Sequence, residues 1–334
     1  MATMRMSKAN IAVGSITSKV VAPVAVPRAR AAGLRRAFQQ APQTATLEAP
    51  VSKKEQWALK MHTPVPSTNK SLPQLISKEQ LSSLEAELDQ GASIAALRRF
   101  NVNLQALPSD RWEAVLGPVF TELTFNLESF NPAFTSCILM VQRTIGRTDY
   151  VRRDCALKNM IQPLAGEYGM HNDQPQLRTH RELFASFFAS MFGASLESHM
   201  ASASSPVAAE LLWSQMSRDI MGGGGGAYTD SVQQASYAMG YNLAIEYLAD
   251  YEKTWMLDSF RALDTRIFAP LGRKVDWIFL EVHAEGEAEH AAIGHNAVVN
   301  FVEAEHMPIL RKAMGDHDRD FAAFYNRIAD LLEQ

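Results

Sequence analysis

An all-α fold, arranged as one multi-helix bundle, is predicted from three observations. Strict apolar–polar alternation, which a half-buried strand requires, is nearly absent. Clusters of β-branched residues are few. From residue 77 onward, apolar residues recur three and four apart, in stretches bounded by capping residues, glycine and proline. No internal repeat and no second composition regime follows, so a single helical domain over 77–334 is expected.

The chain has 334 residues, 47% of them hydrophobic, enough for a sizeable core. The net charge of −4 is unevenly spread. Residues 1–47 carry seven Lys or Arg and no acid; removing that +7 leaves −11 for the remainder, which argues against nucleic-acid binding. An Arg-rich, hydroxylated, acid-free start is the composition of an organelle transit peptide, so 1–47 is expected to be a removable leader. Chloroplast is the first expectation and mitochondrion the second. Residues 48–76, with Pro50, Pro64, Pro66 and Pro73, read as a linker. The two cysteines, Cys137 and Cys155, form neither a CxxC nor a disulfide framework, and no apolar run reaches the length of a membrane span.

Ser77 with Gln80 forms a capping box for a helix whose stripe is Leu81, Leu84 and Leu88, ending at Gly91. A short helix from Ser93 to Phe100 follows. After a cap at Ser109 or Asp110, Gly117-Pro118 interrupts a segment that resumes from Val119 to Phe130. Asn131-Pro132 breaks it, and Phe134 to Arg143 is a further apolar helix. Asp149 opens the next, which runs to Tyr168; residues 171–175 read as a loop. His180 to Gly193 reads as a buried helix closing at glycine. Ser204-Ser205-Pro206 is a turn before the helix from Val207 to Met221. Five glycines, Gly222 to Gly226, lack the following Gly-Lys-Ser/Thr and the preceding strand of a phosphate loop, and are expected to form a flexible connector. Asp230 to Asp250 is helical, with Tyr251 to Phe268 continuing or restarting it; Asp276 opens a helix reaching past Asn300, and Asp320 to Leu332 closes the chain.

The chemistry concentrates in that penultimate helix, which carries His283-x3-Glu287-x2-His290. At about 100° per residue these three fall within an arc of roughly 60°, while Glu281, Glu285 and Glu289 lie on the opposite face. Two imidazoles and a carboxylate on one stripe are a plausible part of a divalent-metal site, provided that other helices supply matching donors. Three candidates qualify: Glu167 at the end of an apolar helix, His180 at the start of the next, and Glu246 within Tyr241-Asn-Leu-Ala-Ile-Glu-Tyr-Leu248. An acid within an apolar stripe is costly unless it is paired or bound to a metal.

Taken together, Glu167-Tyr-Gly169, His180-Arg-Glu-Leu-Phe184, Glu246 and His283-x3-Glu287-x2-His290 resemble the heme-oxygenase-like diiron oxidases, over roughly residues 110–305. That superfamily includes a chlamydial protein of para-aminobenzoate synthesis and bacterial 1-alkene-forming oxidases. The resemblance implies a heme-oxygenase-like bundle and six metal ligands: Glu167, His180, Glu246, His283, Glu287 and His290. It implies two iron ions, or a manganese–iron pair, which activate O2 to oxidise a small organic substrate with electrons from a separate donor. Two departures stand out. The 13-residue interval from Glu167 to His180 is generous, so that His171 is an alternative ligand; and Glu287 stands where several relatives have the shorter Asp.

The substrate pocket is expected among Phe184, Phe187, Phe188, Met191, Tyr237 and Met239, with Tyr168, Tyr241 and Tyr247 as hydrogen-bonding neighbours of the metals. A homodimer would be ordinary for such a fold. Two other functions are weighed. One is a non-catalytic helical protein that stores metal or serves as a scaffold. The other is a heme-degrading or cofactorless member of the same fold, against which the six donors argue.

Overall fold

Helices in this protein form where burial and capping coincide, even at positions where local sequence opposes them. The computed structural model describes residues 72–170 and 178–334; in residues 285–292 the backbone is described but the side chains are not. The leader expectation for 1–47, most of the linker and His171 therefore lie outside the described residues. The end of the linker packs onto the bundle: Leu75 N donates to Val299 O, Ile76 is buried, and Arg152 donates to Pro73 O.

Among the described residues the structure is all-helical, with no strand. The helices are α1 (Lys78–Leu88), α2 (Ala92–Ala106), α3 (Trp112–Gln142), α4 (Tyr150–Glu167), α5 (His180–Phe192), α6 (Leu196–Ser202), α7 (Val207–Gly226), α8 (Ser231–Leu263), α9 (Ile278–Phe301) and α10 (Met307–Glu333). The centre is α8. Tyr237 through Ala244 are eight consecutive buried residues, more than two full turns, so the helix is enclosed on every side. It packs against α2, α3, α7, α9 and α10. At Gly240 an added Cβ would lie 3.0 Å from the backbone of Leu310, so this glycine lets α8 and α10 approach closely.

Two expected breaks are absent. Helix α3 runs unbroken through Pro118 and Pro132. A proline within a helix costs about 3 kcal/mol. Here the apolar stripe is buried on both sides of each proline, through Val115, Leu116, Val119, Phe120, Phe134, Cys137 and Ile138. At about 1.5–3 kcal/mol for each large side chain, that burial outweighs the two prolines. The last helix likewise starts thirteen residues before the expected Asp320, at Met307, with Pro308 in its first turn where no hydrogen bond is lost.

The glycine run is a structured turn, not a flexible connector. Gly223, Gly224 and Gly225 hold φ of 61°, 66° and 68°, a left-handed turn that only glycine adopts without penalty. A Cβ at Gly224 would also meet the Tyr237 ring at 2.9 Å. At the other end of α7, Pro206 offers no capping side chain. Instead, buried Glu122 of α3 accepts hydrogen bonds from Ala208 N (3.1 Å) and Ala209 N (2.7 Å). These bonds fix α7 against α3.

Candidate metal centre

Two helix ends and two positions within helices place the candidate donors whose side chains are described. Glu167 is the final residue of α4, buried at 8% exposure. His180 is the first residue of α5, whose start is set by a capping box between Thr179 and Glu182. His283 lies in the second turn of α9 and is buried. One donor atom each from Glu167, His180 and His283 lie within 4.8 Å of one another.

The contacts within this group have the character of ligands around a common point. His180 Nδ1 lies 2.8 Å from Glu167 Oε1, yet that nitrogen makes no hydrogen bond of acceptable geometry. Two donors bound at right angles to one ion at about 2.0–2.2 Å would themselves stand about 3 Å apart. The His180 and His283 rings meet edge to face, with centroids 4.3 Å apart. His283 Nδ1 lies 2.5 Å from Phe279 O, one turn back on α9. An imidazole that donates Nδ1–H to a carbonyl carries its lone pair on Nε2, the usual arrangement of a metal-binding histidine.

Beside this group lies a cavity of about 70 Å³. Glu167, Glu246 and His283 line it together, so Glu246, buried at 3% exposure within α8, faces the same space as two of the clustered donors. Glu287 and His290 continue the stripe of α9, but their side chains lie outside the described residues. Glu167 also lines a second cleft, of about 250 Å³, with Tyr168 and His180, so its side chain borders both spaces.

The expected pocket is corrected. Phe184, Phe187, Phe188 and Met191 are core, and the three phenylalanines make ring contacts with Phe120, Phe192, Phe260 and Phe279. None of these four, nor Tyr237 or Met239, lines the cavity beside Glu167. Tyr241 and Tyr247 also point elsewhere, donating to Asp320 (3.2 Å) and Asp89 (2.7 Å). The reason is periodicity: an apolar stripe marks a buried face without distinguishing packed interior from cavity wall.

The cavity is lined instead by residues the sequence reading passed over, among them Phe130, Met216, Glu252, Lys253, His317 and Phe321. Lys253 Nζ donates to Glu252 Oε2 at 2.8 Å, and Tyr325 donates to the other oxygen of the same carboxylate. The one available signal was spacing: Lys253 lies seven residues beyond Glu246, about two turns further along the same helix face, with Glu252 next to it in sequence. No described helix is long and apolar enough to cross a membrane.

No family model matches the chain. No curated protein matches it either. Among solved structures, a CADD-like protein of unknown function from Nostoc punctiforme aligns with a TM-score of 0.56 and 14% identity. The alignment covers 75% of this chain and 96% of the other, and at that identity the likeness concerns the fold alone.

Proposed function

We propose that this protein is a non-heme diiron oxidase or oxygenase of the heme-oxygenase-like superfamily, acting on a small organic substrate within a plastid. One observation carries the reading: a carboxylate and two imidazoles from three separate helices converge within 4.8 Å. They do so at the wall of a cavity that a further buried carboxylate, Glu246, also lines. The CADD-like fold of the solved neighbour supports the same reading.

Oxygen and nitrogen donors without thiolate suit iron or manganese. Glu167, His180 and His283 would hold one ion. Glu246 from α8, with Glu287 and His290 from the stripe that begins at His283, would complete a second position. When bound, the metal pair supplies O2 activation, with electrons from a separate donor. The protein's own residues bind and orient. Phe279 O fixes the His283 ring, and the Thr179–Glu182 capping box fixes the start of α5 and so the placement of His180. Lys253 and Tyr325 hold Glu252 in the cavity wall, and the Lys253 charge offsets one of the carboxylates crowded there.

Anaerobic loading with ferrous iron, followed by metal analysis and O2 exposure, tests the proposal. Two irons per chain, and a visible absorption change on O2 exposure whose decay a plastid metabolite accelerates, are expected. Absence of bound iron, with His283→Ala matching the parent, would leave a helical scaffold. Bound iron that does not react with O2 would indicate metal storage.

A further inference from the structure

A file of rings leads from the cavity beside the metal group to the glycine turn after α7. His317, which lines that cavity with Glu167, Glu246 and His283, meets the Tyr241 ring edge-on, with centroids 4.9 Å apart. Tyr237 follows one turn back on α8, at 6.3 Å, and Tyr228 follows Tyr237 at 5.9 Å. His317, Tyr241 and Tyr237 are buried. Tyr228 is half-buried and comes just after the turn whose Gly224 lies against the Tyr237 ring.

Each buried phenol in the file has its own carboxylate. Tyr241 Oη donates to Asp320 Oδ2 at 3.2 Å, and Tyr237 Oη donates to Asp316 Oδ2 at 2.7 Å. Both carboxylates are buried, and both pair with Arg319, which reaches the surface. Carboxylates in the interior are costly, and phenylalanines would fill the α8–α10 interface without them. What a phenol–carboxylate pair adds is redox chemistry. A phenol gives up an electron readily only when its proton leaves as well, which requires a base within hydrogen-bond reach. Tyr325 supplies the contrast. It too donates to a carboxylate, Glu252, but its ring contacts are with Phe100, Phe321 and Phe324, which have no hydroxyl proton to give up.

We infer that Tyr228, Tyr237 and Tyr241 form a relay that carries electrons from an external one-electron reductant, reacting at Tyr228, to the metal centre. The inference rests on the diiron reading and gives the route by which its separate electron donor acts. The oxidised metal takes one electron from Tyr241 through the His317 ring, and the phenol proton passes to Asp320. The Tyr241 phenoxyl then takes an electron from Tyr237 and recovers its proton from Asp320, while the Tyr237 proton passes to Asp316. Tyr237 is restored in the same way by an electron from Tyr228, whose proton goes to water. The reductant returns the electron to Tyr228, and water returns the proton. Each pass reduces the metal by one electron, oxidises the reductant by one, and leaves all three phenols as they began.

Electron paramagnetic resonance of frozen samples tests the relay in the full-length parent, Tyr237→Phe/Tyr241→Phe, Tyr228→Phe and Tyr150→Phe. The last removes an exposed phenol on α4, outside the relay. One set of samples is metal-free and is oxidised by light with ruthenium tris-bipyridine and persulfate. A second set is loaded with ferrous iron and exposed to O2 without reductant. Iron content and helicity are measured on all. Both parent samples should hold a phenoxyl radical that outlasts those on exposed side chains. The double variant should lose it in both sets, and Tyr150→Phe should keep it in both. Tyr228→Phe should lose the light-driven radical, which enters from the surface, yet keep the O2-driven one, which forms from within; ascorbate should then quench that radical more slowly than in the parent. Should the double variant fail to fold, this split in Tyr228→Phe decides the question. No persistent radical in the metal-free parent, or an undiminished one in the double variant, would overturn the relay. So would bound iron that reacts with O2 and leaves no radical in the parent. A light-driven radical that follows the expected pattern, with no iron taken up by the loaded samples, counts against the diiron reading alone.

Discussion

His180 Nδ1 and Glu167 Oε1 stand 2.8 Å apart across the segment that joins the end of α4 to the start of α5. The pair is nearly buried, and His283 from α9 completes it. Removing either side chain takes away a donor while leaving the helices that carry it. Glu167→Ala and His180→Ala should each weaken ferrous-iron binding by about tenfold or more at unchanged helicity. Iron titration alongside circular dichroism checks this; unaltered binding in both variants would remove this pair from the site.

The glycine turn after α7 is a conformational requirement. Gly224 sits at φ 66° and its missing Cβ would press on Tyr237. Gly224→Ala is expected to lose about 1–2 kcal/mol from backbone strain alone, and more from the ring contact. Gly222→Ala, where an added Cβ meets nothing within 4 Å, serves as the control. Denaturant midpoints for the two variants give the comparison.

Phe120 is the hub of the aromatic core, touching the rings of Phe184, Phe187, Phe188, Phe192 and Phe260. Phe120→Ala should destabilise the fold by about 3–5 kcal/mol. A drop below about 1 kcal/mol in urea unfolding would mean that this cluster is far looser than described.

Alkaline pH should open the α8–α10 interface. Burial, reinforced by Asp316, Asp320 and Glu252 respectively, raises the pKa of Tyr237, Tyr241 and Tyr325 well above the ordinary phenol value. Because the folded state holds these protons more tightly than the unfolded chain, the associated stability is intact below about pH 10 and is lost as pH climbs beyond it. Tyrosinate absorbance at 295 nm should therefore rise in a cooperative step that coincides with loss of helicity. A smooth titration of all the tyrosines with helicity intact would contradict the burial.

Much of this architecture was legible in the chain because helical periodicity and capping act locally. Ser77 with Gln80, Asp149, Asp230 and Gly193 all mark helix ends where spacing and capping chemistry placed them. Pro118 and Pro132 misled because their local penalty is outweighed by side chains distant in sequence, which periodicity cannot weigh. At the site, Glu167, His180 and His283 were readable as donor types on apolar helices. His317 was not, since a single histidine within an apolar stripe has no distinguishing sequence signal. Its place shows only in the fold, where α3, α4, α7, α8, α9 and α10 line one cavity together.

Anomalous diffraction at the iron edge, from crystals loaded with ferrous iron without oxygen, addresses the centre most directly. The expected result is two peaks, one within bonding distance of Glu167, His180 and His283, and a second on the side of Glu246. Iron density elsewhere in the protein, with none between these side chains, would contradict the account.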